Sequence, residues 1–335
     1  MEKRKLGKFS VSAIGVGCMS LTHGYGPPPP TAQAEALLNR ALDIGYTHFD
    51  NAALYGMGAS ETLLGNAIGH RRNEYILSSK CGIYKNADGV REINGRPEVL
   101  RATIEDSLRR LKTDRIDLYY LHRWDKAVPI EESIGELSRA VQAGKIQTIG
   151  LSEVSAQTLR KAHAVHPITA VQSEYSLWTR NPEIEILQAC RELNCTLVAF
   201  SPLARQFLTG VLRDANTLHE TDLRRNMPRF DPDTYQNNLK LLTDYQSIAD
   251  EAGLSMAQLA LAWVLSKGKD IVAIPGTTNI DHLEENAGAD SKPLSPQLMS
   301  ALDQLINEHT VSGPRYNAKN QREVDSAEYP HHVLT

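Results

Sequence analysis

Eight short runs rich in β-branched and aliphatic residues, separated by segments of helical spacing, constrain this chain more than any other feature. They are 11–17 (Val11-Ser12-Ala13-Ile14-Gly15-Val16-Gly17), 47–50, 75–80, 116–122, 146–152, 169–172, 196–201 and 271–275. Near-continuous apolar character suits parallel strands covered on both faces. Thr31 is placed to cap a helix reaching Ile44, with Gly45 as its stop. Ser60 begins a shorter helix. Pro97 suits the first turn of one ending near Leu111, where Leu100, Ile104, Leu108 and Leu111 recur at helical spacing. Pro129, Ser155, Pro182 and Ser255 mark further starts.

Strict alternation predicts βαβ units with right-handed crossovers, and eight of them favour a closed (β/α)8 TIM barrel over an open sheet. The 335 residues fit one such domain. Two intervals break the rhythm. Pro27 to Pro30 must be extended. The connection from Pro202 to Asp270 is far longer than the others and holds a polar stretch, 222–230, placed to act as a lid or a surface insertion. From Gly313 to the end, 313–335, the chain reads as a polar, loosely packed tail.

The formal charge of -4 is spread along the chain, so no nucleic-acid partner is expected. Four cysteines without a CxxC pair are read as reduced thiols, which fits a cytoplasmic location. The charged start lacks the apolar core of a signal peptide, and no run approaches the roughly 20 residues of a membrane span. No oligomeric state is read from the sequence.

Three familiar motifs are incomplete in this chain. Gly15-Val16-Gly17-Cys18 lacks the third glycine and the immediate helix of a dinucleotide turn. Gly150-Leu151-Ser152 lacks the closing glycine of a nucleophile elbow. His163 and His166 have no third ligand nearby, and no metal site is expected.

In parallel barrels, reactive groups come from the C-terminal strand ends. Here those ends carry Asp50 with the following Tyr55, then Lys80, then His122. Each taken alone reads as a cap, a loop aromatic, a solvated charge or a core histidine. An acid, a phenol, an amine and an imidazole at three successive strand ends point to a site.

The segments Asp50-Asn51-Ala52-Ala53-Leu54-Tyr55-Gly56, Ser78-Ser79-Lys80 and Asp117-Leu118-Tyr119-Tyr120-Leu121-His122-Arg123 resemble the signatures of the aldo-keto reductase superfamily. The similarity runs from about Leu6 to Asn286. It implies an N-terminal hairpin closing the barrel base and NADPH-dependent reduction of aldehydes or ketones. It also implies catalytic roles for Asp50, Tyr55, Lys80 and His122. Tyr55 would protonate the substrate oxygen. Lys80 would lower the phenol pKa, Asp50 would hold Lys80, and neutral His122 would orient the carbonyl.

The same resemblance sets Gly17, Cys18, Met19 and Asp50 beside the cofactor. Ser152 and Gln172 fall on its carboxamide, and Phe200 falls against its nicotinamide ring, where stacking competes with plain core packing. Ser201, Pro202, Leu203 and Arg205 form the pyrophosphate loop, with Ala204 and Gln206 where relatives often carry glycine. Gly276, Thr277, Thr278, His282 and Asn286 fall at the 2′-phosphate and Glu285 at adenine. Thr278 and Asn279 stand where a cation is usual, which keeps NADH or dual use open; Arg224, Arg225 and Arg229 could compensate. Met19, Trp124 and Trp178 are candidate pocket walls. Arg123-Trp124-Asp125 and the 81–95 loop are placed to shape the substrate pocket. Two other functions fit such a chain: a cofactor-binding regulatory subunit like those of potassium channels, without their extended N-terminal segment, and a barrel of non-redox chemistry.

Overall fold

The computed structural model describes residues 1–85, 89–291 and 293–332. In chain order the strands are β1 (Lys3–Leu6), β2 (Phe9–Ser12), β3 (Val16–Gly17), β4 (His48–Asp50), β5 (Ile76–Cys81), β6 (Ile83–Lys85), β7 (Arg91–Ile93), β8 (Leu118–Leu121), β9 (Ile149–Ser152), β10 (Ile168–Glu174), β11 (Thr196–Phe200) and β12 (Ile271–Ile274). Among the described residues, β3, β4, β5, β8, β9, β10, β11 and β12 pair in parallel in that order. A parallel bridge between Ile14 and Ala273 joins the ends into a barrel. Gly17 N–H also donates to Pro275 C=O at 3.0 Å. The anticipated (β/α)8 barrel is the fold found.

The helices are α1 (Thr31–Asp43), α2 (Ala59–Ile68), α3 (Pro97–Leu111), α4 (Ile130–Gln142), α5 (Ala156–Val165), α6 (Ile186–Glu192), α7 (Pro232–Leu239), α8 (Leu241–Ala252), α9 (Met256–Ser266), α10 (Ile280–Ala287), α11 (Pro296–Leu305) and α12 (Ala318–Gln321). Local chemistry explains several boundaries. Pro97 opens α3, Ser155 accepts from Thr158 N–H at the start of α5, and Ser255 with Gln258 forms a capping box on α9. Thr31 does not cap α1; it is the first helical residue, following Pro30, and Gly45 turns away with a φ of +95°.

The first apolar run is divided between two structures. Val11 and Ser12 belong to β2, which pairs antiparallel with β1, while the barrel strand is only Val16–Gly17. The hairpin is a base plate. Leu6 and Val11 pack under the barrel with Leu118, Tyr120, Ala170, Val198 and Val272. Both uses demand buried apolar side chains, so hydropathy alone did not separate them.

The long connection after β11 is also more ordered than expected. It contains α7, α8 and α9, and its 222–230 stretch forms short helical turns at Leu223–Asn226 and Pro228–Phe230. The apolar positions Leu242, Tyr245 and Ala249 of α8 were a legible helical signal. Among the described residues no single helix is long and apolar enough to cross a membrane.

The stretch from Gly313, expected to be loose, is packed. Arg315, Tyr316 and Val324 are buried. Arg315 pairs with Glu153, and Asp325 accepts from Ser155 Oγ at 2.9 Å and Thr158 Oγ1 at 2.7 Å. A charged segment looks solvent-seeking until its partners, more than 150 residues away, are brought to it.

Candidate active site

One large cavity of about 1360 Å³ opens at the C-terminal ends of the barrel strands. Asp50, Tyr55 and His122 line it, and Lys80 lies beneath with no solvent exposure. Lys80 Nζ donates to Asp50 Oδ1, to Asn51 C=O at 2.8 Å and to Tyr55 Oη at 3.3 Å. The Tyr55 and His122 rings stand nearly perpendicular, with centroids 5.9 Å apart. The four side chains therefore converge as their strand-end positions suggested.

Burial and charge set their protonation. Loss of water pushes the Tyr55 phenol above its ordinary value, and Lys80 offsets this only in part. Lys80 does pull the phenol pKa down, by its charge and its hydrogen bond as expected, but desolvation outweighs it, and the resting phenol keeps its proton. Burial opposes charge on Lys80, but Asp50 and Tyr55 outweigh that and raise its pKa. Burial, with Arg123 and Lys80 nearby, holds His122 well below the usual imidazole range, so its ring is neutral.

The residues assigned by resemblance to the cofactor lie along the same cavity. Gly17, Cys18, Met19, Ser152, Gln172, Phe200, Ser201, Pro202, Leu203, Arg205, Gly276, Thr277, Thr278, His282, Glu285 and Asn286 all line it. Gln172 has a second engagement: its Nε2 donates to Asp50 Oδ2 at 2.8 Å. Gly17 allows close approach of two strands, because a Cβ there would meet Ile274 C=O at 2.8 Å.

The loop after β11 solves its shortage of glycine by strain. Ser201, Ala204, Arg205 and Gln206 adopt φ values of 49°, 50°, 54° and 81°, left-handed conformations that side chains disfavour. Arg224 holds the turn, donating to Gln206 Oε1 at 2.8 Å and to Arg205 C=O at 3.2 Å. Asp222 holds Arg224 through two hydrogen bonds.

Several cationic expectations need correction. Arg205 lines the cavity, but its charge is paired with Glu174 at 3.0 Å. Arg225 donates to Leu218 C=O, and Arg229 is buried against Trp178, Thr179 and Gly313. Arg224 lines the cavity with its charge paired to Asp222, and neither Arg225 nor Arg229 lines it. Trp124 and Trp178 are packing residues rather than walls: neither lines the cavity, and Trp178 stacks on Phe207 with centroids 4.3 Å apart. Met19 does line it.

Ile83 and Arg91 of the β6–β7 hairpin reach the cavity, while positions 86–88 of that loop lie outside the described residues. The contributors that escaped sequence reasoning include one in a loop and a group in the tail. His23, in the loop after β3, places its ring 5.5 Å from that of Tyr55. The tail supplies Tyr316, Lys319, Asn320, Glu323 and Val324 to the outer wall. No local pattern marks either, since their role depends on what the chain folds against. Among the described residues no cluster of three or more metal-ligating side chains occurs.

The family model described as "Aldo/keto reductase family" matches residues 13–307. The chain belongs to the aldo/keto reductase family. This reductase is 42% identical over 319 residues to "Aldo-keto reductase yakc [NADP(+)]" of Schizosaccharomyces pombe, covering 93% of this chain and 94% of that one. The glycerol dehydrogenase AKR11B4 from Gluconobacter oxydans superposes with a TM-score of 0.84 at 25% identity, covering 99% of both chains. The holo form of aldo-keto reductase AKR11C1 from Bacillus halodurans gives a TM-score of 0.76 at 27% identity, covering 92% of this chain and 97% of that one. The reductase is therefore an oxidoreductase, and the family assignment supports carbonyl reduction as its general chemistry.

Proposed function

We propose that this reductase converts aldehydes or ketones to alcohols with NADPH, and that Tyr55 gives the proton. The observation that carries the reading is the contact of Tyr55 Oη with Lys80 Nζ, 3.3 Å, at the floor of a cavity that His122 shares. The yeast relative's name specifies NADP(+).

The residues present fit such a cofactor. Among the described residues Asn286 Oδ1 is buried without a partner at the cavity wall, and the 204–206 turn beside the cavity holds three left-handed residues. Asn286, His282, Thr277 and Thr278 would hold the adenosine end, and Glu285 the adenine. Ser201, Pro202, Leu203 and Arg205 would line the pyrophosphate. Ser152 and Gln172 would take the carboxamide, and Phe200 offers a flat face for the nicotinamide. The bound cofactor supplies the hydride. With no cation beside Thr278, NADPH is preferred over NADH by less than a charge-assisted contact would give.

The chain's own groups do the rest. The substrate oxygen is received between the Tyr55 hydroxyl and the neutral His122 ring. As negative charge builds on that oxygen, Tyr55 donates its proton. Lys80 then faces a phenolate, which its charge stabilises, and Asp50 keeps Lys80 charged and aimed. In the opposite direction the same phenolate accepts the alcohol proton. We further propose that residues 1–335 act as one domain in the cytoplasm.

Steady-state reduction of 4-nitrobenzaldehyde by NADPH, followed for wild type and Tyr55→Phe, tests the reading. Turnover that survives intact in the variant would show that the proton comes from elsewhere.

A further inference from the structure

Four arginines line the cavity, and three are spent on carboxylates. Arg91 forms a two-pronged pair with Glu323 at 2.7 and 2.8 Å, Arg205 pairs with Glu174, and Arg224 pairs with Asp222. Arg123 is different. Among the described residues it has no carboxylate partner. Its Nη1 donates to His122 C=O at 2.6 Å and to Ser152 Oγ at 3.1 Å. Those two bonds pin the guanidinium next to the imidazole that faces Tyr55. Among the described residues its hydrogen bonds run from Nη1 alone, which leaves Nε and Nη2 open to a ligand.

An arginine is always charged, and its N–H fork matches a carboxylate. The buried carboxylate that feels its charge, Glu153, is already bound by Arg315, so the Arg123 charge lacks a partner of its own, a cost that a carboxylate ligand would relieve. The second observation is the neighbourhood. His23 and His122 flank Tyr55, and Asp50, the carboxylate at this end of the cavity, is already held by Lys80 and Gln172. Hydrogen-bond donors and positive charge are in excess where the substrate must sit.

We propose that Arg123 is a specificity-determining residue and that the preferred substrates are aldehydes or ketones carrying a carboxylate. This rests on the reductase reading above. The carboxylate docks on the free Nε and Nη2 edge of Arg123 while the carbonyl oxygen is presented to Tyr55 and His122. Arg123 supplies no proton and changes no bond order; it selects and orients.

The experiment compares 4-carboxybenzaldehyde with its neutral analogue, methyl 4-formylbenzoate, for wild type, Arg123→Met and Arg123→Lys. The quantity read is the ratio of kcat/KM, charged over neutral. The expected result is a fall of about 10- to 100-fold in Arg123→Met, carried by KM, with Arg123→Lys between the two. An unchanged ratio overturns the proposal. So does a variant that loses both substrates equally, because Arg123 would then act only by positioning Ser152 or His122.

Calorimetric binding of 4-(hydroxymethyl)benzoate to the NADP+ complex needs no turnover and separates the two readings. Weaker binding in Arg123→Met supports the carboxylate site even if no aldehyde is reduced, in which case the reductase reading alone fails. Equal binding in wild type and variant overturns the site whatever the enzyme turns over.

Discussion

Gln172 Nε2 donates to Asp50 Oδ2 at 2.8 Å while Lys80 takes the other carboxylate oxygen. A residue assigned to the nicotinamide carboxamide thus also steadies the acid beneath the proton donor. Under the proposed mechanism, Gln172→Leu should weaken cofactor binding and lower kcat together. Fluorescence titration of NADPH and single-turnover reduction would read the two effects; loss of affinity alone would mean that the contact with Asp50 has no bearing on chemistry.

Tyr55→Phe keeps the ring that packs against His23 and His122 and removes only the hydroxyl. The expected loss is about 100- to 10,000-fold in kcat, with NADPH affinity little changed. The measurement is kcat beside the cofactor dissociation constant. Equal losses in both would point to a collapsed site rather than a missing proton.

The pH profile follows from the shifts. Tyr55, raised above its ordinary value, stays protonated until the medium is strongly alkaline, and His122, lowered, is already neutral near pH 7. Reduction should be flat from about pH 7 to about pH 9 and decline only above the ordinary tyrosine range near 10. Oxidation should rise over the alkaline limb instead. A step in kcat near the ordinary histidine pKa, about 6.5, would contradict a neutral His122.

The tail contact predicts acid sensitivity. Burial opposes ionisation of Glu153 and Glu174, but Arg315 on Glu153 and Arg205 on Glu174 prevail and hold both below the usual carboxylate range. A depressed folded-state pKa contributes stability above the unfolded value, near 4.5, and that contribution fades as pH falls through the folded value. Arg315→Met leaves Glu153 buried without its cation. It should cost about 3–5 kcal/mol at pH 7 and less in acid, where the carboxyl becomes neutral. Chemical denaturation at pH 7 and near pH 4 gives both numbers; a cost that grows in acid would reverse the sign argued here.

At the adenosine end, Thr278→Lys restores a cation to the cavity wall. NADPH should gain over NADH by about 10-fold in the ratio of kcat/KM. Steady-state assays with each cofactor decide it, and an unaltered ratio would place the 2′-phosphate somewhere other than the loop after β12.

The sequence by itself determined the barrel and its chemical floor. Periodicity is a local property, so the alternation of apolar runs and helical segments was readable, and strand ends in a parallel barrel share one face. That was enough to bring Asp50, Lys80 and His122 together, with Tyr55 in the loop after the strand that ends in Asp50. Local reading had less purchase where one pattern serves two uses, as in the run from Val11 to Gly17, divided between the base hairpin and the first barrel strand.

Tertiary structure alone decided which charges are spent and which are free. Arg205, Arg224 and Arg123 look equivalent as letters and all line the cavity, yet two are paired with a carboxylate there and, among the described residues, the third is not. The tail's burial and the strained turn at 204–206 belong to the same class. Each depends on partners distant in the chain, and the pairing energy of a charge is set by distance and burial, which exist only once the chain has folded.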